Sequence, residues 1–139
     1  RKDILFLQED MDPEGPFRGV AKIVEANSQP PMIRKTLQLV SILHARELSN
    51  KGGYLMISRA VHQGTSNIFD PSIARSEILM GVNVIRSIEG EPNQCLMVNV
   101  NHIRSPIIPL FIAKKVGLSA ASNFISDMRA VGKRFAAAN

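Results

Sequence analysis

Arg75 begins the most regular alternation in the chain, the run from Arg75 through Ser76, Glu77, Ile78, Met80 and Val82 to Arg86. A guanidinium at the mouth of an apolar strand can anchor an anionic head group or a hydroxyl, since it offers five donors and keeps its charge. The plainer role for Arg75 is an ion pair with a neighbour such as Glu77. Arg59, near the end of the run Tyr54-Leu55-Met56-Ile57-Ser58-Arg59-Ala60-Val61, carries the same two readings. Other chemistries have less behind them. His62 and His102 stand alone, with no carboxylate or thiol at ligand spacing, which argues against a metal site. Ser58, Ser76 and His102 can be set on paper as nucleophile and base, but no spacing demands it. No glycine-rich phosphate loop is present. The residue types therefore favour a binding module that needs no cofactor over an enzyme.

Composition narrows the class further. With 139 residues the chain is one domain at most, with enough apolar surface for a real core. Hydrophobic residues at 45% and charged residues at 21% argue against disorder. No apolar run approaches the ~18–20 residues of a spanning helix, and Lys2-Asp3 and Glu9-Asp10 break any secretory signal pattern. The single cysteine, Cys95, permits neither an internal disulfide nor a multi-thiolate metal site. A cytoplasmic protein, peripheral to membranes at most, is the expectation. The net charge of +5 is spread along the chain, concentrated only at Arg34-Lys35, Lys114-Lys115 and Lys133-Arg134. Aromatic residues are 5% and tryptophan is absent, so stacking platforms for nucleic acid are lacking and no nucleic-acid partner is expected.

The elements that must position these residues follow from pattern and punctuation. Asp3 to Glu9 and Phe17 to Ala26 read as two strands of a hairpin around the breaker-rich Asp10 to Pro16. Lys35 to Leu48 supports two readings. Leu37, Val40, Leu43 and Leu48 make a helical stripe, whereas Leu37, Leu39, Ser41, Leu43 and Ala45 make a strand face ending at the turn Gly52-Gly53. Tyr54 to Val61 reads as a strand. In Arg75 to Arg86, alternation puts Ser76, Ile78, Met80, Val82 and Val84 on one face, opposite Glu77, Gly81, Asn83 and Ile85. After the turn at Glu89 to Asn93, Leu96, Val98, Val100 and His102 share a face opposite Met97, Asn99, Asn101 and Ile103. From Leu110 onward, Ala113, Gly117, Ala121, Phe124, Met128, Val131 and Phe135 recur every three or four residues, one stripe of a helix. Pro109 suits its first turn and Gly117 a bend.

This ordered set resembles the START family of lipid-transfer domains. Pro30-Pro31 followed by Arg34-Lys35-Thr36 stands where the family has a proline-rich loop and a strand opening. Gly53 to His62 is similar to its next strand, which ends in a Ser-Arg-Ser-Val type signature, and Arg75-Ser76-Glu77 to its Arg-Ala-Glu opening. Asn101 to Pro109 and the helix Val116 to Phe135 resemble its last strand, Ile-Pro corner and closing helix. Lys35-Thr36 and Pro106 depart from the family pattern. The resemblance runs from about Ile4 to Phe135 and favours the strand reading of Thr36 to Arg46. It covers only the family's last six strands and closing helix, so residues 1–139 are expected to be a single, N-terminally incomplete START-like domain.

The resemblance implies an α+β helix-grip fold, a curved antiparallel sheet wrapped around a long C-terminal helix and enclosing a tunnel for one lipid or sterol. Arg75 and Arg59 become candidate anchors, and Met56, Ile78, Met80, Val82, Met97, Val98, Phe124 and Met128 candidate walls, with plain core as their alternative. Asn27 to Ile33 and His62 to Ile73 become mouth loops, and Lys114, Lys115, Lys133 and Arg134 candidate contacts with a transient membrane surface. The rival classes are a ligand-sensing or protein-interaction domain of a larger protein and an enzyme of the same superfamily. Strands missing from the sheet would also expose an edge suited to self-association.

Overall fold

The computed structural model describes residues 2–29, 34–49, 52–61, 72–105 and 107–138. Six strands precede one helix: β1 Lys2–Gln8, β2 Val20–Ser28, β3 Thr36–Glu47, β4 Tyr54–Ala60, β5 Ile73–Ile88, β6 Glu91–Arg104 and α1 Leu110–Ala138. The class is α+β. The expected mouth loops fall largely on residues 30–33 and 62–71, outside the described residues.

Chain contacts divide the molecule into two units, Arg1–Pro106 and Ile107–Asn139. The first is a single sheet in the order β1-β2-β3-β4-β5-β6, each neighbour antiparallel to the last. A two-residue connection explains the last of these pairings. Glu89 and Gly90 alone join β5 to β6, with Gly90 at φ 77°, a left-handed conformation that glycine adopts without a Cβ penalty. The ambiguous segment from Lys35 to Leu48 is a strand because both its neighbours pair with it over most of its length.

β4, at 7 residues, is shorter than the β3 and β5 that flank it, and this shapes the sheet. Beyond Ala60 β3 and β5 come together in parallel, Gln38 opposite Arg75 and Leu39 opposite Ser76. The sheet therefore forks around the end of β4.

Pairing fixes which side chains share a face, because residues directly opposite in a ladder point the same way. One face, here called the buried face, holds Val24, Leu37, Ser41, Leu43, Ala74, Ser76, Gly81 and Asn83, all buried. The other, the open face, holds Ile57, Met80, Leu96, Val98 and Val100, each between 43% and 56% exposed. Ala21, sealed between Gln8 and His44 of the adjoining strands, is the buried exception on the open face.

One expectation is corrected. The reading that put Ser76, Ile78, Met80, Val82 and Val84 on a common face assumes unbroken alternation. The ladder slips between Ile78, which faces Ile103, and Met80, which faces His102. Ile103 and His102 are consecutive and point to opposite faces, so the β-bulge at Leu79 inverts the strand. Ser76 and Ile78 lie on the buried face, while Met80, Val82 and Val84 lie on the open one.

The second unit is α1. Amides of Ile112 and Ala113 both donate to the Pro109 carbonyl at 2.9 Å, so proline sits where its missing donor costs nothing. The helix continues unbroken through Gly117. Ala113, Phe124 and Val131 are its half-buried stripe residues, whereas Leu110 is 88% exposed.

Candidate functional site

The open face of β4, β5 and β6 carries a band of apolar side chains built on two ladder rows. Ile57, Val82 and Val100 form one row, Leu55, Val84 and Val98 the next, and Leu96 and Met80 extend the band at its two ends. β-branched residues favour these positions because they pack against cross-strand neighbours on a pleated surface. No carboxylate interrupts the band.

Arginines bound it. Arg46 lies beside Leu55 and Arg86 beside Leu96 at the hairpin end. Toward the fork, Arg59 pairs with Ile42, Arg75 with Gln38 and Arg104 with Glu77, all on the same open face. Arg104 donates to the Glu77 carboxylate at 2.8 Å. Neither Arg59 nor Arg75 has an ion-pair partner among the described residues. The anticipated Arg75–Glu77 pair is thus replaced by one from the neighbouring strand, because Arg104 stands directly opposite Glu77 in the ladder.

The fork frames a partly open recess of about 40 Å³ lined by Gln38, Val40, Ala60, Val61, Arg75, Ser76 and Glu77. That space suits a water or two and is far below the roughly 300 Å³ at which small-molecule pockets begin. Beside it Glu25 accepts hydrogen bonds from Asn27 (2.8 Å) and Gln38 (3.1 Å). These bonds, with a smaller contribution from Lys2, hold its carboxyl below the usual range.

The buried face is chemically different. Asn101 donates to Asn99 at 2.8 Å, and Asn99 donates in turn to the buried Asn83. Ser76 and Ser105 share a hydrogen bond of 2.8 Å. Gly81 lies beneath the Ser58 hydroxyl, where any Cβ would overlap it. These amides and hydroxyls are spent on one another, and no buried side-chain nitrogen or oxygen among the described residues lacks a partner, which suits register.

The proposed wall residues consequently separate. Met80, Val82 and Val98 share the open face with Arg59 and Arg75, whereas Met56, Ile78 and Met97 lie on the buried face. On α1, Phe124 is half-buried and Met128 is 37% exposed. Lys114, Lys115, Lys133 and Arg134 are all exposed. Ser58 and Ser76 lie on the buried face and His102 on the open one, so that trio is not assembled. Ile57, Leu55 and Val100 also belong to the open-face band, and Arg46 and Arg86 flank it, although the sequence reading singled out none of them. Their parity relative to Val82 is the signal, and only ladder register reveals it.

No family model, curated protein or solved structure matches this chain. Among the described residues no helix is long and apolar enough to cross a membrane, and no cluster of three potential metal ligands occurs.

Proposed function

We propose that this chain is a non-enzymatic binding module for one apolar ligand with a small anionic or hydroxylated head, a lipid or sterol, in a START-like helix-grip domain. The observation that carries the reading is the open-face band, whose Ile57, Met80, Leu96, Val98 and Val100 are each half-exposed. Together they offer on the order of 400 Å² of apolar surface, a patch of the size that marks interaction sites. Covering it is worth roughly 10 kcal/mol before the costs of association, at about 25 cal/mol per Å². Arg59 and Arg75, with no ion-pair partner among the described residues, supply the anchor at one end. Exposed Lys114, Lys115, Lys133 and Arg134 on α1 suit transient contact with an anionic membrane surface, from which ligand would be taken or delivered.

Native mass spectrometry of the purified chain with a panel of fatty acids, phospholipids and sterols tests the reading. A one-to-one complex is expected, weakened more than about tenfold by Val82→Glu, which puts a charge in the centre of the band. Arg75→Gln should weaken acidic ligands selectively. Failure of every lipid class to bind sinks the proposal.

A second reading, a ligand-sensing or protein-interaction domain, is favoured by a separate observation. The outer edge of β6 has no strand partner among the described residues.

A further inference from the structure

The edge strand β6 has the properties of a self-pairing surface. It runs 14 residues, Glu91–Arg104, and only Met97 is more than marginally shielded. Alternate N–H and C=O groups along its outer side have no ladder partner among the described residues. Such a row accepts an extended strand and little else. Natural edges are usually blocked by charge, proline or a bulge in the exposed run. From Gln94 to Ile103 this one has neither a charged residue nor a proline. Its ladder to β5 is unbroken from Met80–His102 to Ser87–Cys95.

The sequence of the run selects the occupant. A two-fold axis normal to the sheet pairs two copies antiparallel and keeps each face with its own kind, so only residues of equal parity can stand opposite one another. Centred on Val98, this arrangement sets Val98 against Val98 and Val100 against Leu96 on the open face, with His102 against Gln94 beyond them. On the buried-face side, Asn99 meets Met97 and Asn101 meets Cys95. Arg104 falls opposite Pro92, so no like charges meet anywhere along the interface. Centring on Asn99 instead would place Leu96 against His102 and match the faces less well. A foreign strand would need its own complementary pattern, whereas a second copy of β6 already has one.

We infer that β6 pairs antiparallel with β6 of a second copy about a two-fold axis at Val98, joining two six-stranded sheets into one continuous sheet. The apolar bands of both copies then meet across the junction. This inference does not rest on the ligand reading, since it follows from the edge alone.

Analytical ultracentrifugation of the whole chain in a Cys95→Ser background tests it. A concentration-dependent dimer is expected. Val98→Lys and Val98→Glu should each raise the dimer dissociation constant more than about tenfold, because each sets like charges directly opposite. Mixing the two variants should restore a heterodimer, a result that a folding defect cannot produce. Oxidation of Val98→Cys should cross-link the dimer, because directly opposed residues have Cα atoms about 4.5–5.5 Å apart, within disulfide reach. Val100→Cys should not cross-link, since its counterpart lies about 13 Å further along the partner strand. A chain that stays monomeric at hundreds of micromolar, a Val98→Lys variant that still dimerises, or a mixture that fails to associate overturns the inference. Cross-linking through Val100→Cys but not Val98→Cys overturns the register.

Discussion

β1 and β6 are both outer strands, yet they are defended differently. β1 has Lys2 and Asp3 at one end and is followed by Glu9 and Asp10 at the other. Its ladder to β2 slips twice within seven residues, between Asp3 and Leu5 and between Phe6 and Gln8. Lys22 crosses from β2 to bind Asp3 at 2.9 Å, and its ammonium lies 5.0 Å from the centre of the Phe6 ring. Charge and irregularity together spoil β1 as a template, although Ile4, Leu5, Phe6 and Leu7 are 37–51% exposed. From Cys95 to His102, β6 exposes similar apolar side chains on a run with neither a register shift nor a Lys, Arg, Asp or Glu side chain. Hydrophobicity is common to both edges, so the difference lies in the backbone ladder and in the charges that flank it. Association is therefore expected at β6 and not at β1.

The largest effect should come from the support beneath β6. Gly53 adopts φ 120°, and a Cβ there would run into the Ile85 carbonyl of β5. Gly53→Ala is expected to cost roughly 2–4 kcal/mol and to loosen β4 from β5, measured as a lower urea midpoint. The matching change near β1, Gly15→Ala, meets the amide end of Gln8, a side chain that can move only by giving up exposed hydrogen bonds to Asp10 and Asp12 and from the Phe17 amide. It should cost less than Gly53→Ala, about 1 kcal/mol. Equal losses at the two glycines would show that both edges rest on equally tight backbone and would remove one basis for the contrast.

Hydrogen exchange distinguishes the edges directly. Raising the protein concentration should slow exchange of alternate β6 amides between Gln94 and His102 more than about tenfold, while β1 amides stay unchanged. Protection appearing at β1 instead would reverse the comparison. On the β1 side, Lys22→Met removes an ion pair whose side chains are 19% and 36% exposed. Its loss should cost no more than about 1 kcal/mol, diminishing in high salt. Leu5→Lys, on the same edge, should leave the sedimentation coefficient untouched.

How far these features were legible in the sequence depends on whether they are local. The strands and α1 announce themselves through alternation, three-to-four spacing and glycine or proline at their ends. β3 is a harder case, since Leu37, Val40 and Leu43 satisfy a helix as well as a strand, and ladder partners on both sides decide it. The bulge at Leu79 was not legible at all. It exists because Ile78 and Met80 face consecutive residues of β6, a fact of pairing that leaves no mark in the composition of β5. That single slip moves Met80 and Val82 to the face of Arg75 and leaves Ile78 on the other. The fork was equally hidden, because it follows from β4 being shorter than the strands it separates. Arg75 and Arg59 were identifiable as residues worth weighing, but not as neighbours of one apolar band.

The smallest expected effect concerns acid, and it too should divide the sheet. Asn27 and Gln38 donate to Glu25 on the β2–β3 side, and its folded-state pKa lies below the ordinary value. A carboxylate shifted in this direction contributes stability that is fully present above its unfolded pKa, about 4.3. That contribution disappears as pH falls through the lower folded value. Glu25 is only partly shielded, so solvent screens the effect and only a slight slope is expected. Glu25→Gln keeps an acceptor oxygen for one donor and removes the titration. Urea midpoints measured from pH 6 to pH 3 should therefore fall slightly more steeply for the native chain than for Glu25→Gln. The accompanying rise in exchange should appear in β2 and β3, with the central β6 amides spared because no carboxylate lies among them. An acid response identical in both proteins would assign the lost stability to other carboxylates and remove Glu25 from the account of that edge.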